Sequence, residues 1–491
     1  MFTVISSAYS GLDNTRREVS RKLDPARRTA LGQFMTPNAI ASFMASLFTY
    51  TPEIKLLDPG AGIGSLTSAF LEVALHKSAK VKLDAWEIYS TLRTYLLDTI
   101  DFWKTKDKNA IAATVHSTDF IEDACFSISM GGNISFTHAI INPPYKKISS
   151  NSKHRHLLRE VGIETVNLYS AFVAISISLL ASKGQLVAII PRSFCNGTYY
   201  LPFREYLLNN TTIRQIHLFK SRTKAFKDDD VLQESIVLFL TKDSTPKKVT
   251  ISTSHGSDFL DYEENEYEYS SIVDVNSNLK YIHIPTSEAD IQEPPICTHT
   301  LSEIGLEVST GPVVDFRAKP YLQKKINGKS VPLIYAHNFI DGKLLWPKKH
   351  KKPNALKFSP SIKKLLMPKG NYVLVKRFSS KEEKRRLVAY HVSPADLNAD
   401  LVGFENHLNV YHHGKEGIDE WLARGLVVFL NSKIIDDHFR VFSGHTQVNA
   451  TDLRTIRYPS REKLIELGLR SLEINREEAP VENLITEMQP E

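Results

Sequence analysis

The chain has 491 residues, 42% of them hydrophobic, enough for roughly two to four domains, each with its own core. Its three cysteines, Cys125, Cys195 and Cys297, exclude a disulfide scaffold and lack metal-ligand spacing, so inert thiols and no metal site are expected. The N-terminus has no apolar signal core, and the apolar stretch 168–191 is broken by Ser182-Lys183-Gly184; a cytoplasmic protein with no membrane span is expected. A formal net charge of +6 is compatible with a nucleic-acid partner and does not establish one.

The first half alternates helical and strand patterns. "TPNAIASFMASLF" (36–48) sets Ile40, Phe43, Met44, Leu47 and Phe48 at helical spacing, with Thr36 as N-cap and Pro37 at the first helical position. "IKLLD" (54–58) reads as a strand, followed by a glycine turn and the helical stripe Leu66, Ala69, Phe70 and Val73. "VKLDAWEI" (81–88), "AATVHSTDF" (112–120) and "THAII" (137–141) predict three further strands. A helix over 168–182 closes at Gly184, "QLVAIIP" (185–191) is a buried strand, and "IRQIHLF" (213–219) and "ESIVLFL" (234–240) complete the set.

This alternation predicts an α/β fold: a doubly wound, mainly parallel sheet with helices on both faces. Such sheets bind ligands beyond the carboxyl ends of their strands, and Asp58, Glu87, Asp119 and Asn142 each fall at such an end. After Thr241 the rhythm is lost. "DYEENEYEYSS" (261–271) reads as a polar connector, and from about 301 a second domain of mixed segments is expected. Three basic clusters lie there, "PKKHKK" (347–352), "SIKKLLMPKG" (361–370) and "VKRFSSKEEKRR" (375–386), and their succession suggests a phosphate-facing side.

"LLDPGAGIGSL" (56–66) places Gly60, Gly62 and Gly64 between a strand and a helix, where glycines permit a tight turn and close approach of backbone amides to a ligand. Glu87 ends the next strand and is placed to accept from ribose hydroxyls, so the pair points to an adenosine-containing cofactor. Nicotinamide and S-adenosylmethionine both fit. "NPPY" (142–145) favours the second. The side-chain oxygen of Asn142 and the backbone carbonyl of Pro143 can accept the two N–H bonds of a planar amino group and localise its lone pair. The prolines stiffen that carbonyl, and Tyr145 offers a face for the base.

Here the sequence resembles the S-adenosylmethionine-dependent amino-group DNA methyltransferases of restriction–modification systems, adenine-N6 type, with the motif order of the γ group. "GQFMTP" (32–37) resembles the N-terminal cofactor motif, "DPGAGIGSL" (58–66) the glycine motif, "WEI" (86–88) the ribose-binding acid and "STDF" (117–120) the stretch that contacts the cofactor adenine. "NPPY" matches the catalytic motif in full, and the likeness continues through 184–194 and 225–239.

The resemblance implies that Thr36, Asp58, Gly60, Gly62, Gly64, Glu87, Asp119 and Phe120 bind the cofactor, that Asn142, Pro143 and Tyr145 hold the target base, and that Phe226 is a second aromatic against it. It further implies a Rossmann-like catalytic domain over 1–245, then a connector to about 300 and a mixed α/β target-recognition domain within 246–491. The expected partner is duplex DNA carrying a specific site, with the base flipped out. A monomer is expected, with any cognate endonuclease a separate polypeptide. "VSTGPVVDFR" (308–317) and "FSGHTQVNATDLR" (442–454) are similar to recognition-domain stretches of these enzymes. Methylation of an rRNA base or of a protein glutamine would use the same motif; a cytosine-N4 DNA methyltransferase is a closer alternative, although that group more often has Ser or Asp where Asn142 stands, and a non-catalytic DNA-binding relative would keep the fold alone.

Overall fold

Seven strands form where the sequence predicts them, and two more join the same sheet. The computed structural model describes residues 11–22, 35–132, 135–220, 234–245, 247–273, 278–285, 294–328, 330–379, 384–397, 399–442 and 447–472. The chain divides into two compact units, Met1–Thr286 and Ser287–Glu491.

In the first unit the strands are β1 (Glu53–Pro59), β2 (Lys80–Trp86), β3 (Ile111–His116), β4 (Phe136–Ile141), β5 (Leu180–Pro191), β6 (Thr211–Phe219), β7 (Ser235–Lys242), β8 (Lys248–Ser254) and β9 (Glu263–Glu268). Their order is β3-β2-β1-β4-β5-β7-β6-β8-β9. β1 to β5 run parallel, and β7 lies antiparallel between β5 and β6. The chain reverses direction of travel across the sheet between β1 and β4, the place where open α/β sheets leave a crevice for ligands.

Among the described residues, the helices that flank the sheet include α1 (Gly11–Lys22), α2 (Asn38–Ser46), α3 (Ser65–His76), α4 (Ser90–Lys106), α5 (Phe120–Ser129), α6 (Lys153–Glu160), α7 (Leu168–Leu179) and α8 (Leu201–Asn210). Period-two alternation sends neighbouring strand residues to opposite faces. Leu56, Ile140, Val187 and Ile189 pack with Phe43 of α2, Phe70 of α3 and Trp103 of α4. Leu57, Ala139, Ile141 and Leu186 pack with Phe120 of α5, Val173 of α7 and Phe203 of α8. Both faces are covered, which explains why these strands read as almost continuous apolar runs.

Three local expectations are corrected. Helix α2 is capped by Pro37 and begins at Asn38, so Thr36 stands outside the helix. Helix α7 ends at Leu179, and Gly184 lies in the irregular opening of β5, where the pairing shifts between Phe136 and His138. A Cβ at Gly184 would come within 2.8 Å of the Ala181 carbonyl oxygen and 3.1 Å of that of Phe136, so the glycine serves a close backbone approach. The polar stretch after residue 245 adds β8 and β9 to the sheet. β9, "EENEYE", exposes every side chain but Tyr267; charge on an edge strand deters pairing with other chains and removes the apolar signal that would announce a strand.

The second unit holds a four-stranded antiparallel sheet in the order Glu307–Thr310, Leu408–His412, Tyr372–Lys376, Ala389–Val392. A five-stranded sheet is built largely from strands of two to five residues, among them Ser330–Ile334 and Leu401–Phe404. Helices Glu420–Leu430 and Arg461–Arg470 cross at Gly425 and Gly468, where a Cβ on either would collide with a carbonyl oxygen of the other helix. The two stretches resembling recognition segments meet: Arg454 donates Nε and Nη2 to the Val308 carbonyl at 3.1 and 2.9 Å. Among the described residues, no helix is long and apolar enough to cross a membrane.

The basic clusters fall into two kinds. In the first two, Lys349, Lys351, Lys363, Lys364 and Lys369 are exposed. In the third, Arg377 donates to the Asn406 carbonyl at 3.0 Å, Arg385 donates to the Asn431 carbonyl, and Arg386 is buried, donating to the Ser379 carbonyl. Those arginines brace the fold.

Candidate active site

The turn after β1 carries three glycines in left-handed backbone, Gly60 (φ 74°), Gly62 (61°) and Gly64 (88°), a region costly for any residue with a Cβ. Their amides are used within the protein. Gly60 and Ala61 donate to the Trp86 carbonyl at 2.8 and 2.9 Å, Gly64 donates to Ala61 at 2.9 Å, and Gly62 donates to Glu87 Oε2 at 2.9 Å. What these glycines offer a ligand is therefore clearance, their own amides being engaged within the protein. Among the described residues, a Cβ at Gly62 would meet nothing within 4 Å, and one at Gly60 only the Phe172 ring edge at 3.5 Å. Gly64 serves packing, since its Cβ would lie 2.9 Å from Leu96 Cδ1 on α4.

Three acids stand at the ends of β1, β2 and β3. Asp58 is 1% exposed; its Oδ2 accepts from the Thr67 hydroxyl at 2.5 Å, and its Oδ1 has no hydrogen-bond partner among the described residues. Burial pushes this carboxyl up to about 7, against the Thr67 hydrogen bond and with help from the neighbouring Glu87 charge. Glu87 accepts from the amides of Tyr89 at 2.8 Å and Gly62 at 2.9 Å. Burial nonetheless holds it above the ordinary carboxylate value. Each carboxylate oxygen carries two lone pairs, so both retain capacity for a ligand hydroxyl.

Asp119 caps α5 through Oδ1, which accepts from Glu122 N at 3.1 Å, and meets His154 Nε2 through Oδ2, also at 3.1 Å. Burial acts to raise its pKa, but the His154 hydrogen bond and charge with the α5 amides outweigh it, and the net shift is downward. The hydrogen bond to Asp119 raises His154 in turn. Phe120 is buried, edge-on to Trp86 at 5.4 Å and tilted against Phe172 at 5.1 Å.

At the end of β4, Asn142 donates Nδ2 to the Thr36 hydroxyl at 2.9 Å. Pro143 is buried beside it. The Tyr145 hydroxyl donates to the Ile189 carbonyl of β5 at 3.0 Å, which fixes the ring; Tyr169 meets it edge-on at 6.2 Å. Burial keeps this phenol neutral by raising its pKa.

Seven of the residues singled out from sequence, Thr36, Gly60, Gly62, Glu87, Asp119, Phe120 and Asn142, line one cavity of about 350 Å³, within the span of small-molecule sites. Asp58, Gly64, Pro143 and Tyr145 stand outside its lining, and Phe226 lies outside the described residues. Sequence reasoning missed Trp86, Ile88, His154, Leu168 and Phe172 in the wall. Leu168 and Phe172 are four apart on α7 and so share a helix face, a signal that was available; nothing local marks His154. Side-chain-free turn, paired carboxylates and aromatic wall together fit an adenine nucleoside carrying a charged tail.

Strand order, glycine turn and an Asn-Pro-Pro-Tyr corner at the reversal point define a methyltransferase catalytic fold. Comparison with known proteins narrows this. The family described as Eco57I restriction-modification methylase matches residues 41–226. The type II methyltransferase M.BsuBI of Bacillus subtilis is 48% identical over 468 residues, covering 93% of either chain. M.PstI of Providencia stuartii is 42% identical over 472 residues, covering 93% of this chain and 92% of that one. The DrdV–DNA complex superposes with a TM-score of 0.54 at 12% identity over 94% of this chain and 60% of that one, a likeness of fold. The chain belongs to the type II methyltransferases of restriction–modification systems.

Proposed function

We propose that the protein transfers a methyl group from S-adenosylmethionine to N6 of an adenine within a specific site in duplex DNA, protecting that site from a cognate endonuclease. The observation that carries this reading is the convergence of the ends of β1, β2, β3 and β4 on one cavity, with the Asn142 amide in its wall. The cofactor supplies an electrophilic methyl group on a sulfonium centre. Gly60, Gly62, Glu87, Asp119 and Phe120 would hold it, with Asp58 and Gly64 supporting the turn from behind.

Adenine N6 is a poor nucleophile because its lone pair is delocalised into the ring. Asn142 Oδ1 and the Pro143 carbonyl would accept its two N–H bonds and draw the lone pair onto nitrogen. Both acceptors are stiffened, one by Thr36 and the other by its proline ring, which is preorganisation of the electrostatic kind. Tyr145, its hydroxyl tied to Ile189, would present its ring to the extruded base, and Phe226 would close the other side. Extrusion costs a few kcal/mol of stacking and pairing. Phosphate contacts from the second unit would offset that cost, with the exposed lysines of 347–352 and 361–370 as the proposed contributors. We assign methyl transfer to the unit ending near 286 and target recognition to the unit that follows. The chain would act as a monomer in the cytoplasm, beside a separate endonuclease.

The test is transfer of labelled methyl from S-adenosylmethionine to duplex DNA, with RNA and protein as parallel acceptors and digestion of the DNA to nucleosides. Label in N6-methyladenine is expected. Label in N4-methylcytosine would replace the target, and label only in RNA or protein would overturn the role given to the second unit.

A further inference from the structure

Resting on the reading above, we infer that Thr36 is a positioning residue for Asn142: its hydroxyl holds the amide nitrogen, so that the amide oxygen is the end offered to the target amino group.

A primary amide has a donor end and an acceptor end of nearly equal shape. An asparagine free to turn about its terminal bond would offer the incoming amine its own NH₂ in one of the two orientations, and donor facing donor is repulsive. Catalysis by lone-pair localisation therefore needs the flip settled before the base arrives. The prolines within "NPPY" fix backbone and carry no side-chain acceptor. An acceptor comes from 106 residues away: Thr36 Oγ1, 2.9 Å from Asn142 Nδ2.

Thr36 is itself fixed. It is 4% exposed and immediately precedes Pro37, the cap of α2, so its backbone is restricted by the following proline. Helix α2 is anchored by Ile40, Phe43 and Met44, all 1% exposed or less. The hydroxyl is thus presented from a rigid support, and Thr36 and Asn142 share the wall of one cavity. This also gives the threonine a use that its position outside the helix leaves open, since it caps nothing there.

Two substitutions separate this role from direct cofactor binding. Thr36→Val keeps the β-branch and all backbone contacts while deleting the acceptor; Thr36→Ser keeps the acceptor. Methyl transfer to adenine in duplex DNA and cofactor affinity, followed by equilibrium binding without DNA, are measured for both. The expected result for Thr36→Val is a kcat lower by about 10- to 100-fold with the cofactor dissociation constant within about twofold, and for Thr36→Ser a kcat within about threefold of the parent. Thr36→Val with parental kcat would overturn the inference, as would a weakened cofactor affinity that accounts for the whole loss, or a serine variant no better than valine. A parent chain that methylates no adenine would instead overturn the functional reading and this inference with it.

Discussion

The two units of the chain differ in how chemistry is distributed along the sequence. In the first, most residues that line the cavity sit in short runs at strand ends: Gly60 to Ile63, Trp86 to Tyr89, Thr118 to Ile121, and Asn142 with Pro144. A parallel sheet delivers successive strand ends to one edge, so each run is a local pattern and the fold does the assembling. In the second unit, contacts that organise the fold join remote segments, as Arg454 joins Val308 and the Tyr411 and Tyr458 hydroxyls meet at 2.8 Å. A surface built that way has no local signature. A cavity at strand ends can thus be spelled in short motifs, whereas a fold tied by remote contacts is spelled across the whole unit.

The largest effect that would sharpen this contrast is expected at Asn142. Asn142→Ala should lower methyl transfer by about 10³-fold or more while leaving cofactor binding and the thermal midpoint near parental values. Loss of folding instead would make the amide a structural residue.

Next is the pH dependence of cofactor-free stability in the first unit. Asp58 is raised by burial to about 7 from an ordinary value near 3.8. A carboxyl whose folded pKa lies above its unfolded one contributes stability fully present below the unfolded value and lost as pH rises through the folded one. The parent should therefore lose stability between about pH 4 and 7, by no more than about 4 kcal/mol at 1.36 kcal/mol per unit, and Asp58→Asn should flatten that slope. Denaturant melts at a series of pH values read the difference, and equal slopes would contradict the assignment.

In the second unit, Gly425→Ala should cost about 2–3 kcal/mol by forcing apart the helices Glu420–Leu430 and Arg461–Arg470. DNA binding should weaken while cofactor binding persists; loss of both together would blur the division of labour. The smallest effect is expected from Lys349→Ala with Lys351→Ala. Two lost phosphate contacts would lower the slope of log affinity against log salt by about 1.8, with kcat at saturating DNA unchanged. An unchanged slope would remove this loop from the proposed DNA face.

The sequence carried the seven strands that fall in predicted places because their alternation of buried runs with glycine turns and helical stripes is local. It did not carry β9, whose charged edge position leaves only Tyr267 buried. Nor did it carry the use of the glycine-turn amides, which depends on where the Trp86 carbonyl and the Glu87 carboxylate arrive. Thr36, singled out from sequence, does line the cavity, and its local role as an N-cap was misread. Its partner lies across 106 residues, a distance over which spacing says nothing. The basic clusters were legible as charge only; the structure separates lysines facing solvent from arginines such as Arg386 that bind carbonyls inside.

The activity proposed for this chain is methylation of adenine N6 at one DNA site. The most direct measurement is single-molecule sequencing of genomic DNA from a methylation-deficient host expressing the parent or Asn142→Ala. N6-methyladenine is expected at nearly every copy of one short sequence with the parent and at none with the variant. Unmodified DNA from both, or N4-methylcytosine with the parent, would contradict it.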